Sequence, residues 1–301
     1  MENCSLCPRD CGINRYNGEM GFCRQTSSLK IARAALHDWE EPCISGTRGS
    51  GTVFFSGCTL QCTFCQNKEI SQDGFGQHVS EERLCEIFLE LQEKGAHNIN
   101  LVTPSHFIPS IKNALLLAKK SGLRLPIICN CGGYESVETL KIWEGLIDIY
   151  LTDLKFFSPE ISFKFCGRRD YFAVAEKALS EMYRQTKSFL FDAKGILKRG
   201  VIVRHLMLPG YLFDTKHILD FLEKHYKNKV YISLMNQYTP PRIPSKNAPS
   251  FGLSEEHYER MVDYLMEKGM ERVYIQEGGT CDESFIPPFD LTGVSKKGIL
   301  L

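Results

Sequence analysis

An excess of either charge is missing from this 301-residue chain. Lysine plus arginine and aspartate plus glutamate both total 36, so no basic surplus points to nucleic acid or to an anionic membrane. Long apolar stretches are missing as well: nowhere do about 18 apolar residues run together, as a membrane-crossing helix needs. Residues 1–15 are polar and cysteine-rich, unlike the charged end and apolar run of a secretory leader. These absences predict a soluble, cytoplasmic protein with no nucleic-acid and no membrane partner. They also make a disulfide framework the weaker explanation for what is abundant here, thirteen cysteines.

Seven of those cysteines fall into two groups, Cys4, Cys7, Cys11 and Cys23, then Cys58, Cys62 and Cys65. Cys43, Cys85, Cys129, Cys131, Cys166 and Cys281 are dispersed. Grouping is what a metal site requires, because one ion or cluster must gather several thiolates. The scattered ones read as structural. Cys129 and Cys131 are expected to face opposite sides of a strand end and not to chelate together.

Residues 1–49 are poor in long apolar runs and need a staple, which makes them a metal-held N-terminal extension. From residue 51 short apolar runs at 51–56, 98–103, 126–130, 147–152, 201–206 and 230–234 read as buried strands. Between them lie candidate helices. Ser80 precedes Glu81 and Glu82 and an apolar face of Leu84, Ile87, Phe88 and Leu91, with Gly95 as a stop. Others are expected at 108–120, 136–143, 171–186, 215–225 and 254–267. This alternation predicts an α/β fold, a partial (β/α)6 TIM-like barrel over 50–238, with a C-terminal extension at 239–301 covering the barrel edge. The extension holds a possible last strand at 273–276 and the pair Gly278 and Gly279.

In a parallel fold of this kind, functional groups gather on loops at the carboxyl ends of strands. Polar and small residues recur at those ends: Cys58, Thr103 to His106, Asn130 to Tyr134, Asp153 and Lys155, Arg204 and His205, Asn236 and Gln237. The first is part of Gly57-Cys58-Thr59-Leu60-Gln61-Cys62-Thr63-Phe64-Cys65, a CxxxCxxC motif. Three thiolates from one loop can ligate three irons of a [4Fe–4S] cubane and leave the fourth iron open. An open iron can bind a chelating substrate such as the amino and carboxylate groups of S-adenosylmethionine (SAM). Three buried or zinc-binding cysteines are the alternative.

On this motif the sequence resembles the radical SAM superfamily, and within it the pyruvate formate-lyase activating enzyme-like (activase) family, over roughly residues 51–238. The resemblance implies a cluster on Cys58, Cys62 and Cys65 and a 5′-deoxyadenosyl radical formed by reductive cleavage of SAM. It places Phe64 near the adenine. Asp153-Leu154-Lys155 is similar to the family's Asp-x-Lys, with Asp153 for the ribose and Lys155 for the carboxylate. Arg204 resembles an arginine that holds a SAM or substrate carboxylate, Asn130 an Asn-Gly turn residue, and Asn236 and Gln237 the polar pair of the last strand. The family's Gly-Gly-Glu, which receives the SAM amino group, is absent. Thr103, Ser105 and a neutral His106 stand in its place as acceptors.

Cys4, Cys7, Cys11 and Cys23 are spaced for a tetrahedral zinc or an auxiliary [4Fe–4S] cluster, with Cys43 as a replacement ligand. A reductant such as flavodoxin or ferredoxin is implied as partner, and a glycine of a protein, or a peptide, as substrate. A small metabolite or nucleoside is the second reading. An electron carrier or zinc-stabilised module is the third. Tyr134 is a candidate hydrogen relay, with packing as the alternative.

Overall fold

The computed structural model describes residues 2–241, 247–276 and 286–295; Gly278, Gly279 and Cys281 lie outside the described residues. The strands are β1 (Lys30–His37), β2 (Ser50–Phe55), β3 (Gln77–His78), β4 (Ile99–Val102), β5 (Ile127–Cys131), β6 (Ile149–Asp153), β7 (Leu190–Phe191), β8 (Leu197–Leu206), β9 (Tyr231–Met235) and β10 (Val273–Ile275). The helices are α1 (Pro42–Ser45), α2 (Lys68–Ser71), α3 (Glu81–Glu93), α4 (Ile108–Lys120), α5 (Val137–Ile142), α6 (Pro159–Cys166), α7 (Tyr171–Thr186), α8 (Leu212–Tyr226) and α9 (Glu255–Glu267).

The sheet order is β10-β9-β8-β6-β5-β4-β2-β1-β3, with β7 paired to β8. From β2 to β10 along this order every neighbouring pair is parallel. Among the described residues β10 and β3 do not pair, so the sheet is an open partial barrel, as the strand and helix alternation predicts. The expected strand at 273–276 is β10.

Local signals explain the helices. Ser80 accepts from the Arg83 N–H and caps α3, whose Leu84, Ile87, Phe88 and Leu91 are buried. In α4, Ile108, Ile111, Leu115 and Ala118 recur at helical spacing and are buried against the sheet. Burying a leucine or isoleucine this fully stabilises the fold by about 2 kcal/mol.

Besides the short α1, α2, β3 and β7, two longer elements escaped the sequence reading. α6 begins on the Ser158 cap with proline in its first turn and ends at Gly167 in the left-handed region, so its signals were present. β1 lies within the first 49 residues yet pairs antiparallel with β2, with Ile31, Ala32 and Ala34 buried. The far end of the chain returns to this strand: Ala34 N–H donates to Thr292 O at 2.8 Å, and Arg33 pairs with Asp290 at 2.7 Å.

The remaining start of the chain packs on the barrel rim. Arg15, 1% exposed, donates to the main-chain oxygens of Gln25, Thr26 and His106. A charged side chain buried this deeply needs such partners.

Candidate functional site

A cavity of about 580 Å³ opens at the carboxyl ends of the parallel strands. Strand register explains the convergence, because Asn130 is level with Val102, and Asp153 with Arg204, which pairs in turn with Ser233. Cys58, Cys62, Cys65, Phe64, Thr103, Asn130, Asp153, Lys155, Arg204 and Gln237 all line it. Ser105, Asn236 and His106 do not, and the four N-terminal cysteines stand outside it.

The three cysteines come from the loop that follows β2. Gly57 has φ +85°, and a Cβ there would lie 2.5 Å from Cys23 O, so the entry to the loop needs glycine. The Leu60 N–H donates to Cys58 Sγ at 3.4 Å, and the Gln61 N–H faces the same sulfur. Ser71 Oγ donates to Cys65 Sγ at 3.3 Å. Burial, with Cys65 nearby, pushes the Cys58 thiol up to about 11, and burial raises Cys62 well above the ordinary thiol range. A metal must therefore displace protons from these thiols when it binds.

Among the described residues no three His, Cys, Asp or Glu side chains stand close enough to grip one ion. Ligands of a cubane bind separate irons and stand farther apart than ligands of a single ion. Three cavity-lining thiols, two of them with amide or hydroxyl donors on the sulfur, fit three of the four iron corners of a cubane.

Phe64 packs edge-on against Phe165 with centroids 5.3 Å apart, and Phe156 and Tyr238 complete the cluster at 6.1 Å each. It gives the cavity an apolar wall beside Cys65. Lys155 and Asp153 form an ion pair with each other. Burial pulls the Lys155 ammonium down, but Asp153 and the sulfurs of Cys62 and Cys65 outweigh it and raise it. Lys155 thus supplies positive charge where thiolates would stand.

Thr103 has φ +55°, an uncommon conformation for threonine, held by its N–H to Asn130 O at 2.8 Å. Ser105 lies one layer behind the cavity, where its hydroxyl donates to Glu135 at 2.9 Å. Gln237 accepts from Gln276 at 2.9 Å, and its main-chain oxygen accepts from Gln66. The Asn236 N–H donates to the Gln276 side chain.

Several expectations need correction. Arg204 lines the cavity, but its fork is taken: Nε and Nη2 meet Glu41 at 2.8 and 2.6 Å, and Nη2 also meets Glu40. Burial would raise the Glu41 carboxyl, and Arg204 outweighs it and lowers it. These two glutamates precede α1, which carries the chain to the barrel floor, and composition gave no sign of them. His106 turns its Nε2 to Ser56 O at 2.7 Å, and burial pushes it down to about 3. It is neutral and its Nδ1 is buried without a hydrogen-bond partner, but the ring does not line the cavity. Tyr134 is fully buried, with its hydroxyl 3.0 Å from Asp170, so it packs. Cys43 lies in a separate apolar cluster with Ile128 and Leu151, away from the N-terminal cysteines. Cys129 and Cys131 share one side of β5 and hydrogen-bond to each other, because residues two apart on a strand face the same way.

Sequence reasoning also missed Glu135. It lines the cavity while being 3% exposed, and burial pushes it up to about 7. A lone buried glutamate after a glycine turn was the signal.

Comparison with known proteins settles the family. A model described as the radical SAM superfamily matches residues 52–222. This chain belongs to the radical SAM superfamily. Membership implies SAM cleavage at an iron–sulfur cluster, and the three-cysteine loop with its cavity fits that chemistry. The chain is 28% identical over 286 residues to the uncharacterized protein MJ0674 of Methanocaldococcus jannaschii, covering 91% of this chain and 77% of the relative. Among solved structures it is similar to the FeFe-hydrogenase maturase HydG from Carboxydothermus hydrogenoformans, with TM-score 0.51, 15% identity and 73% of this chain covered. It is also similar to a radical SAM methyltransferase from Sphaerobacter thermophilus, with TM-score 0.50, 14% identity and 75% of this chain covered. The chain spans 52% and 66% of those two structures, and the likeness at this identity is one of fold. No described helix is long and apolar enough to cross a membrane.

Proposed function

We propose that this radical SAM protein abstracts a hydrogen atom from a glycine of a partner protein or from a peptide. The observation that supports this reading is that, among the described residues, the cavity extends to the edge of the sheet. Its lining runs from the cysteine loop to Tyr274, Ile275 and Gln276 at the edge strand β10, and to Ile286 and Pro287. An extended polypeptide can reach the cavity along such an edge, whereas a metabolite has no need of one.

When bound at Cys58, Cys62 and Cys65, the cluster supplies the electron that cleaves SAM to a 5′-deoxyadenosyl radical. The chain's own residues bind and orient. Phe64 gives the adenine an apolar wall, Asp153 accepts from ribose hydroxyls, and Lys155 meets the methionine carboxylate. Asn130 and Thr103 hold the neighbouring rim. A one-electron donor of the flavodoxin or ferredoxin type is the partner reductant.

The N-terminal cysteines form a second metal site in this reading, and since no three of them stand close enough to grip one ion, an auxiliary cluster suits their spread better than zinc. Cys4, Cys11 and Cys23 are electrostatic neighbours of Cys7. The Phe22 N–H donates to Cys11 Sγ at 3.4 Å, and the N–H groups of Arg9 and Gln25 face the sulfurs of Cys7 and Cys23. Burial outweighs the amide donors at Cys7 and Cys23 and raises both thiols, Cys7 to about 12, so a metal must displace their protons when it binds. Iron, sulfide and zinc counts on the anaerobic protein and on its Cys4→Ala, Cys7→Ala variant identify the metal.

The substrate class is tested with lysate from cells grown on α-deuterated glycine, separated by size. Deuterium in 5′-deoxyadenosine from the macromolecular fraction is the expected result. Deuterium from the small-molecule filtrate alone would replace this reading with the metabolite one.

A further inference from the structure

The family's Gly-Gly-Glu is absent from the end of β4, yet the cavity still holds a buried carboxyl close to that place. Glu135 follows the turn after β5, lines the cavity and is 3% exposed. Its Oε1 accepts from Ser105 Oγ at 2.9 Å, and Ser105 sits where the missing motif would be. Its Oε2 is buried and meets no donor in bonding geometry; the Cys131 thiol stands beside the carboxyl, but its single proton goes to Thr152 Oγ1 at 3.6 Å. A buried acceptor left without a partner costs on the order of 1–3 kcal/mol, and a site that retains one provides for a donor that arrives later.

We propose that Glu135 is the residue that receives the amino group of the SAM methionine moiety, Ser105 holding one carboxylate oxygen and leaving the other for the ammonium. The proposal rests on the SAM reading of the cavity. The ligand must be a cation or a strong donor, because an ionised carboxylate only accepts. The surroundings agree. Ser105 and the Cys131 thiol lower the carboxyl of Glu135, Asp153 raises it and Lys155 lowers it, with the Cys129 thiol the remaining polar group nearby. Burial dominates and pushes the carboxyl up to about 7, so an arriving ammonium would be met by a group ready to release its proton.

The test is SAM binding to the anaerobically reconstituted protein, read by calorimetry between pH 6 and pH 8.5, for wild type and Glu135→Gln. Expected is at least tenfold weaker binding in the variant at pH 8, with the gap closing toward pH 6. The ligand's own titration is common to both proteins and drops out of that difference. An analogue of SAM lacking the amino group should bind the two proteins equally. Glu135→Asp, which keeps the charge, guards against a folding defect and should recover part of the affinity at pH 8. Equal SAM affinity for wild type and Glu135→Gln at every pH overturns this inference and leaves the SAM reading standing. Absence of SAM binding to wild type overturns the SAM reading itself.

Discussion

Arg9 ties the cysteine-rich start of the chain to the cluster loop, its Nε donating to Thr59 O at 2.8 Å. The same guanidinium donates to Cys166 O at 2.8 Å and stacks on Phe22 at 3.5 Å. Gln61 answers from the loop by donating to Phe22 O at 2.6 Å. The N-terminal segment therefore shapes the loop that presents Cys58 and Cys62.

Arg9→Ala removes these main-chain contacts and should cost on the order of 2–4 kcal/mol. Iron content after anaerobic reconstitution should fall with it, since the loop loses its brace. Denaturant melts and iron analysis measure both, and unchanged values for both would separate the two segments.

Glu41 and Arg204 form the ionic floor of the cavity, with side chains 5% and 14% exposed. Asn100 steadies the pair by donating to Glu40 at 2.7 Å. Glu41→Ala leaves a buried guanidinium half-paired and should destabilise the protein by about 3 kcal/mol. Since the fork of Arg204 is spent on Glu41, Arg204→Lys should weaken SAM binding less than Lys155→Ala does, which calorimetry checks.

Stability should fall on acidification. His205 donates from Nδ1 to Leu154 O at 2.7 Å and accepts at Nε2 from Thr215, and burial pushes it down to about 4; His106 is pushed down to about 3. Both stay neutral in the fold while the unfolded chain binds protons below its ordinary 6.5, so stability is lost as pH falls through 6.5 toward 4. Glu135 opposes them. Its raised carboxyl keeps a proton in the fold that the unfolded chain releases near 4.5, so its contribution is lost as pH rises from 4.5 through about 7. Near pH 5.5 these three groups together leave about one net proton taken up on unfolding, and about two in Glu135→Gln. The slope of unfolding free energy against pH measures this.

The barrel was legible because buried parallel strands read as short apolar runs and because Ser80 and Ser254 mark helix starts by their cap chemistry. β1 was not, since its alternation of Lys30, Arg33 and His37 with small residues carries little apolar signal until β2 and the returning tail cover it. The cysteine loop announced itself through spacing that one chemistry requires. Glu41 and Glu135 did not, because a buried carboxylate looks like a surface one until the fold supplies its partner or withholds it.

The central claim is that Cys58, Cys62 and Cys65 hold a cluster to which SAM binds. Electron paramagnetic resonance of the reduced, anaerobically reconstituted protein, recorded with and without SAM, tests it most directly. The account predicts a [4Fe–4S] signal that changes on SAM addition and is lost in Cys58→Ala. A protein with no such signal, or a signal that SAM leaves unaltered, would contradict it.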